Sequence, residues 1–199
     1  MARNQAEKQQ RRNKVIMVFL VAIMVLSGFS AVFFGFGDQG AKKKYSGFTF
    51  LETPQGYYVS VEGQRLGFDY YPTDLEDMNI DAGALAALKD KVQLDISSNL
   101  NDALNQSIAL VEYNMLQKLR LTGSTFLRIG AAANKTYGLP IITCEQATAS
   151  VPVIFFRKGN ASKIALEHDC IIAESTDHYG LVRIGDRIIY SMLGIMDAP

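Results

Sequence analysis

From Val15 to Gly37 the chain reads VIMVFLVAIMVLSGFSAVFFGFG, without a charged residue. At about 1.5 Å per residue a helix of this length crosses the roughly 30 Å of hydrocarbon in a bilayer. A cleaved secretory signal is the alternative, with Ser30 and Gly28 as the small residues before the cut. Such signals carry only about 7–15 apolar residues, and here Val32, Phe33, Phe34 and Phe36 extend the run past that point. The pattern predicts an uncleaved signal-anchor, a transmembrane helix over 15–37, followed by a linker over 38–47.

Beyond the linker the hydrophobic period shortens to two. Phe48–Thr53, Tyr57–Glu62 and Arg65–Tyr71 alternate like strands, with turn residues at Pro54-Gln55-Gly56 and Gly63-Gln64 between them. They predict a β-meander over 48–71. ALAALKD then suggests a short helix, and VQLDI a strand with Val92, Leu94 and Ile96 on one face. From Asp102 to Leu121 the apolar positions Leu104, Ile108, Val111, Met115 and Leu119 recur at steps of three and four, the stripe of an amphipathic helix that Gly123 stops. Short apolar runs follow, TFLRIGA, LPIIT, VPVIFF and CIIA, typical of buried strands, with Pro152 tolerable only at a strand's start. The final segment sets Ile184, Ile188, Met192 and Ile195 on one helical face, with Asp177 as its cap. Strands interleaved with two helices give an α/β (α+β) class: the meander packed on or beside a mixed-sheet α/β sandwich over 84–196, within a domain of residues 48–199.

Charge orients the membrane segment. Arg3, Lys8, Arg11, Arg12 and Lys14 precede it against Glu7 alone, whereas Lys42, Lys43 and Lys44 follow it. The richer side stays inside. Residues 1–14 are therefore expected to be a cytoplasmic tail, and the large domain extracytoplasmic. That domain is mildly acidic and lacks the basic surface that nucleic acid requires, so nucleic acid is excluded as a partner. Ser27, Ala31 and Gly35 repeat every four residues, the small-residue spacing that lets membrane helices pack, and they offer a homo-oligomeric or heterotypic contact.

Two further features fit an outward domain. Glycosylation acceptors occur at Asn105, Asn134 and Asn160, the latter two in loop-like stretches. Cys144 and Cys170, the only cysteines, would form one disulfide in an oxidising compartment, worth roughly 3 kcal/mol in the chain-entropy model. Two buried free thiols are the alternative.

The membrane segment with its aromatic meander, together with YGLPIITCEQAT, VPVIFF, CIIAES and GDRIIYSMLGI, resembles single-pass membrane proteins of archaea that carry no assigned activity. The resemblance spans residues 15–195. It implies an archaeal surface location and no catalytic residues.

Candidate chemistry is sparse. Asp77, Asn79 and Asp81 alternate like the start of a calcium loop, but Ala82 and Leu88 stand where an EF-hand needs Gly and Glu. A solvated loop capping the next element is the plainer account. Cys144, His168, Cys170 and His178 could together hold zinc, and Cys144 beside either histidine is the one thiol pairing a hydrolase could use. A standing disulfide forbids both. Glu174 with Asp177, and Asp186 with Arg187, are read as surface solvation or local ion pairs. No motif calls for a cofactor. The expectation is a membrane-anchored binding or scaffolding domain for another envelope or membrane protein, with an anchored hydrolase-like enzyme or a small-ligand or glycan sensor as alternatives.

Overall fold

The computed structural model describes residues 16–24, 40–123, 125–133 and 138–197. The chain divides into two units, Met1–Gln39 and Gly40–Pro199. In the first, residues 16–24 form helix α1, with apolar side chains exposed from Ile16 to Met24. Val15 and the remainder of the expected membrane segment, including Ser27, Ala31 and Gly35, lie outside the described residues. Among the described residues no helix is long and apolar enough to cross a membrane.

The second unit is a mixed α/β structure with an antiparallel and a mixed sheet. The antiparallel meander comprises β1 (Ala41–Tyr45), β2 (Phe48–Thr53), β3 (Gly56–Val61) and β4 (Gln64–Phe68). Alternation turns Phe50, Val59, Val61, Leu66 and Phe68 to its buried side. Strand β1 corrects the linker expected over 38–47. Its lysines form an edge paired to β2, with Lys43 Nζ 3.0 Å from Glu52 Oε1. An edge strand needs no second apolar face, and lysines discourage further pairing, so its sequence looks like a linker.

Helices α2 (Asn105–Thr122) and α3 (His178–Met192) form the middle layer. Helix α2 buries Ile108, Val111, Met115 and Leu119, with Leu104 partly buried just before it. It stops where Gly123 adopts a left-handed φ of 64° and donates its N–H to the Leu119 carbonyl. Helix α3 starts where the Asp177 carboxylate accepts the Gly180 N–H at 2.9 Å.

Beneath the helices lies a six-stranded sheet in the order β5 (Asn79–Ile80), β9 (Lys163–Glu167), β10 (Cys170–Ser175), β8 (Val153–Lys158), β6 (Gln93–Ser98) and β7 (Phe126–Ala131). Strands β10, β8, β6 and β7 run parallel, while β9 turns back antiparallel to β10. One core runs through all three layers. Tyr190 of α3 stacks on Phe68 at 4.1 Å and meets Phe50 at 5.9 Å. Held between two sheets, α3 is buried without a break from Ile184 to Ser191. Asp186 and Arg187 are therefore interior groups and not paired with each other, which corrects their reading as surface charges.

Three other expectations change, and one strand, β9, is new. ALAALKD yields only a 3₁₀ turn at Ala86–Leu88, and LPIIT only a bridge from Ile141 to Ala131. Val92 precedes β6 and is 83% exposed, while Leu94 and Ile96 are buried. Strand β9, KIALE, carries no apolar run because one of its faces is polar.

The outer face of the mixed sheet is covered in part by the chain between β7 and β8. Ser97 Oγ donates to the Ile142 carbonyl at 2.6 Å, and the Ile142 N–H bonds Ala131. A disulfide joins Cys144 to Cys170, with Cα atoms 5.2 Å apart, over a small core of Ile142, Val153 and Ile172.

Candidate functional site

Pairing between β8, β10 and β9 sets Arg157 beside Glu174, and Glu174 beside Lys163, while β5 adds Asn79 next to Lys163. Residues in one cross-strand row share a face. Arg157, Glu174, Lys163 and Asn79 thus form a polar row on the outer face, at the carboxyl ends of β8 and β10. Ligands of open α/β sheets commonly sit at such strand ends. The β8–β9 turn, with Lys158, Gly159, Asn160 and Ala161, completes the wall of an open groove of about 810 Å³.

Glu174 is the hub. Arg157 Nε donates to Oε2 at 2.8 Å and Lys163 Nζ lies 3.1 Å from Oε1. Partial burial alone would raise the Glu174 carboxyl, but the two cations outweigh it and hold the group below the usual carboxylate range. The turn presses close: a Cβ on Gly159 would lie 2.8 Å from the Glu174 carboxyl carbon. It is fastened where it leaves β8, by Gly159 N–H to the Ser175 carbonyl at 2.8 Å and by Lys158 N–H to the Asp102 carboxylate at 2.9 Å.

Behind the groove, the Ser162 and Ser175 hydroxyls are 2.8 Å apart, and the Asp177 N–H donates to Ser175 Oγ at 3.3 Å. Both hydroxyls pack against the start of α3, where a Cβ on Gly180 would lie 2.0 Å from Ser175 Oγ and 2.4 Å from Ser162 Oγ. A second polar feature is interior. Glu112 on α2 is buried against Ser98, and burial pushes its carboxyl up to about 7, with Oε1 lacking a hydrogen-bond partner.

The residues singled out in the sequence scatter. Asp77 pairs with Arg183 at 2.7 Å, Asn79 belongs to the groove, and the Asp81 carboxylate accepts the Leu166 N–H at 3.2 Å. Among the described residues no three acidic, histidine or cysteine side chains gather as a metal site. Oxidation of both cysteines removes the zinc quartet and the thiol nucleophile. His168 occupies the β9–β10 turn with φ of 56°, and His178 opens α3 against the Tyr179 ring. Asn160 is exposed in the β8–β9 turn. Asn105 is exposed in the first turn of α2, its amide donating to the Leu100 carbonyl at 3.0 Å. Asn134 lies outside the described residues.

Sequence reasoning missed Arg157, Lys158 and Lys163. The segment FFRKGNASKIALE does place basic residues on both sides of a turn. Only the register through β10, however, joins them to Glu174.

Compared with family models, with curated proteins and with solved structures, the chain matches none.

Proposed function

We propose that this chain is a membrane-tethered binding domain held outside the cytoplasm. The Cys144–Cys170 disulfide carries the reading, because such bonds persist in oxidising compartments and are rare in reducing ones. The uncharged run from Val15 to Gly37, with more basic residues before it than after, supplies the anchor and the direction. The uncovered apolar side chains of α1 agree with a lipid neighbour. Archaeal single-pass membrane proteins, which the sequence resembles, give the same location. Asn160, and beyond it Asn134 and Asn105, are the acceptors a glycan would use, and Ser27, Ala31 and Gly35 the face for a partner helix. The groove on the mixed sheet gives the domain a place to bind.

An anchored hydrolase is the second reading. Its thiol route is closed by the disulfide, and it would have to build a site from the polar row at Glu174.

Protease treatment of intact cells tests the topology. The expected result is loss of the 40–199 unit with the membrane unbroken, and retention of a membrane-bound fragment after carbonate washing. Protection of the domain until the cells are lysed would contradict it.

A further inference from the structure

We propose that the groove between the β8–β9 turn and the outer face of the mixed sheet binds a phosphate group, deepening the reading of this domain as a binding module. The lining holds three cations, Arg157, Lys158 and Lys163, against one carboxylate, Glu174. This local excess stands out in a domain whose acids outnumber its bases from Asp38 onward. It matches an oxyanion of charge near −2, which a phosphate monoester carries and a simple carboxylate does not.

The donors are arranged for it. Glu174 accepts only Nε of Arg157, so the carboxylate fixes the guanidinium in place while its terminal nitrogens make no hydrogen bond among the described residues. That leaves the planar edge that grips phosphate in two parallel bonds. Lys163 is held by the same carboxylate, on the opposite side. Lys158 makes no side-chain ion pair among the described residues and adds a mobile charge at the rim. Asp102 takes the Lys158 N–H but does not line the groove. Glu174 is thus the organiser, and the cations around it are the contacts.

The test uses full-length protein from a host without N-glycosylation, in phosphatidylcholine nanodiscs, titrated with inorganic phosphate and, separately, with acetate. Amide signals of Gly159, Asn160 and Ala161 are followed by NMR. The expected result is saturable movement with phosphate, at least roughly tenfold tighter than with acetate, weakened roughly tenfold by Arg157→Gln and less by Lys158→Gln. Lys158→Gln leaves the Glu174 pairs intact, so it probes the charge without disturbing the wall. A parallel arm replaces free phosphate with phosphatidic acid in the nanodisc. Movement there assigns the phosphate to a lipid headgroup, and movement only with the free ion assigns it to a soluble ligand; either supports the site. Unsaturable shifts, equal response to acetate, or affinity unchanged in both variants would overturn it. Because protease topology is read independently, a failed titration leaves the tethering account standing, and a failed topology leaves the groove standing.

Discussion

Lys118 of α2 places its ammonium 2.8 Å from Asp186 Oδ1, in the interior between the two sheets. The other Asp186 oxygen accepts the N–H groups of Asp69 and Tyr70, just after β4, at 2.9 and 3.1 Å. Lys118 also lies over the Phe68 ring, 4.2 Å from its centroid. One carboxylate therefore joins both helices to the meander. Those backbone groups leave the sheet with no strand partner, and burial obliges them to find an acceptor.

Breaking this joint is expected to be costly. Lys118→Met leaves the buried Asp186 carboxyl without its cation, a loss of about 3–5 kcal/mol. Asp186→Ala strands two N–H groups and the ammonium. Since both variants destroy one network, the double variant should lose clearly less than the sum of the singles. Urea unfolding followed by tyrosine fluorescence measures this, and strictly additive losses would argue against a shared network.

Glu112 makes stability depend on pH. Its folded carboxyl titrates at about 7, above its ordinary 4.5. Folding then favours the protonated form, so its contribution is complete below pH about 4.5 and is lost as pH rises through about 7. The penalty at pH 8 is on the order of 3 kcal/mol. Glu112→Gln should unfold at higher urea than the parent at pH 8 and at nearly the same urea at pH 4.5. An equal gap at both pH values would contradict the assignment.

Reduction of the disulfide is expected to act locally first. Replacing Cys144 and Cys170 by Ser should cost about 3 kcal/mol. Hydrogen exchange should accelerate at Ile142 and around the β7–β8 connection, while Tyr190 and its neighbours stay protected. Uniform acceleration across the domain would show that the outer core and the inner one unfold together.

At the start of α3, Gly180 has no room for a methyl group. Its Cβ would lie 2.0 Å from Ser175 Oγ and 2.4 Å from Ser162 Oγ. Gly180→Ala should therefore destabilise by about 1–3 kcal/mol. Adding Ser175→Ala, which clears the closest atom, should recover part of the loss; no recovery would place the strain elsewhere.

What the sequence made visible was whatever rests on local periodicity. The Ile108–Leu119 stripe, the Asp177 cap and the alternating meander each follow from neighbours a few residues apart. β1 and β9 escaped because an edge strand and a strand with one polar face need no apolar run. The same cause hid the interior role of Asp186 and Arg187, since burial of a whole helix depends on a meander more than a hundred residues earlier. Arg157, Lys163 and Glu174 are ordinary charges until the β8–β10–β9 register sets them in one row.

The most direct test of the tethered, outward-facing domain is mass spectrometry of the protein purified from its native membrane, without and with reduction. A tethered, outward-facing domain yields an intact amino terminus and a Cys144–Cys170 peptide pair that separates only on reduction. An amino terminus starting near Ala31, or two free thiols in the unreduced sample, would contradict it.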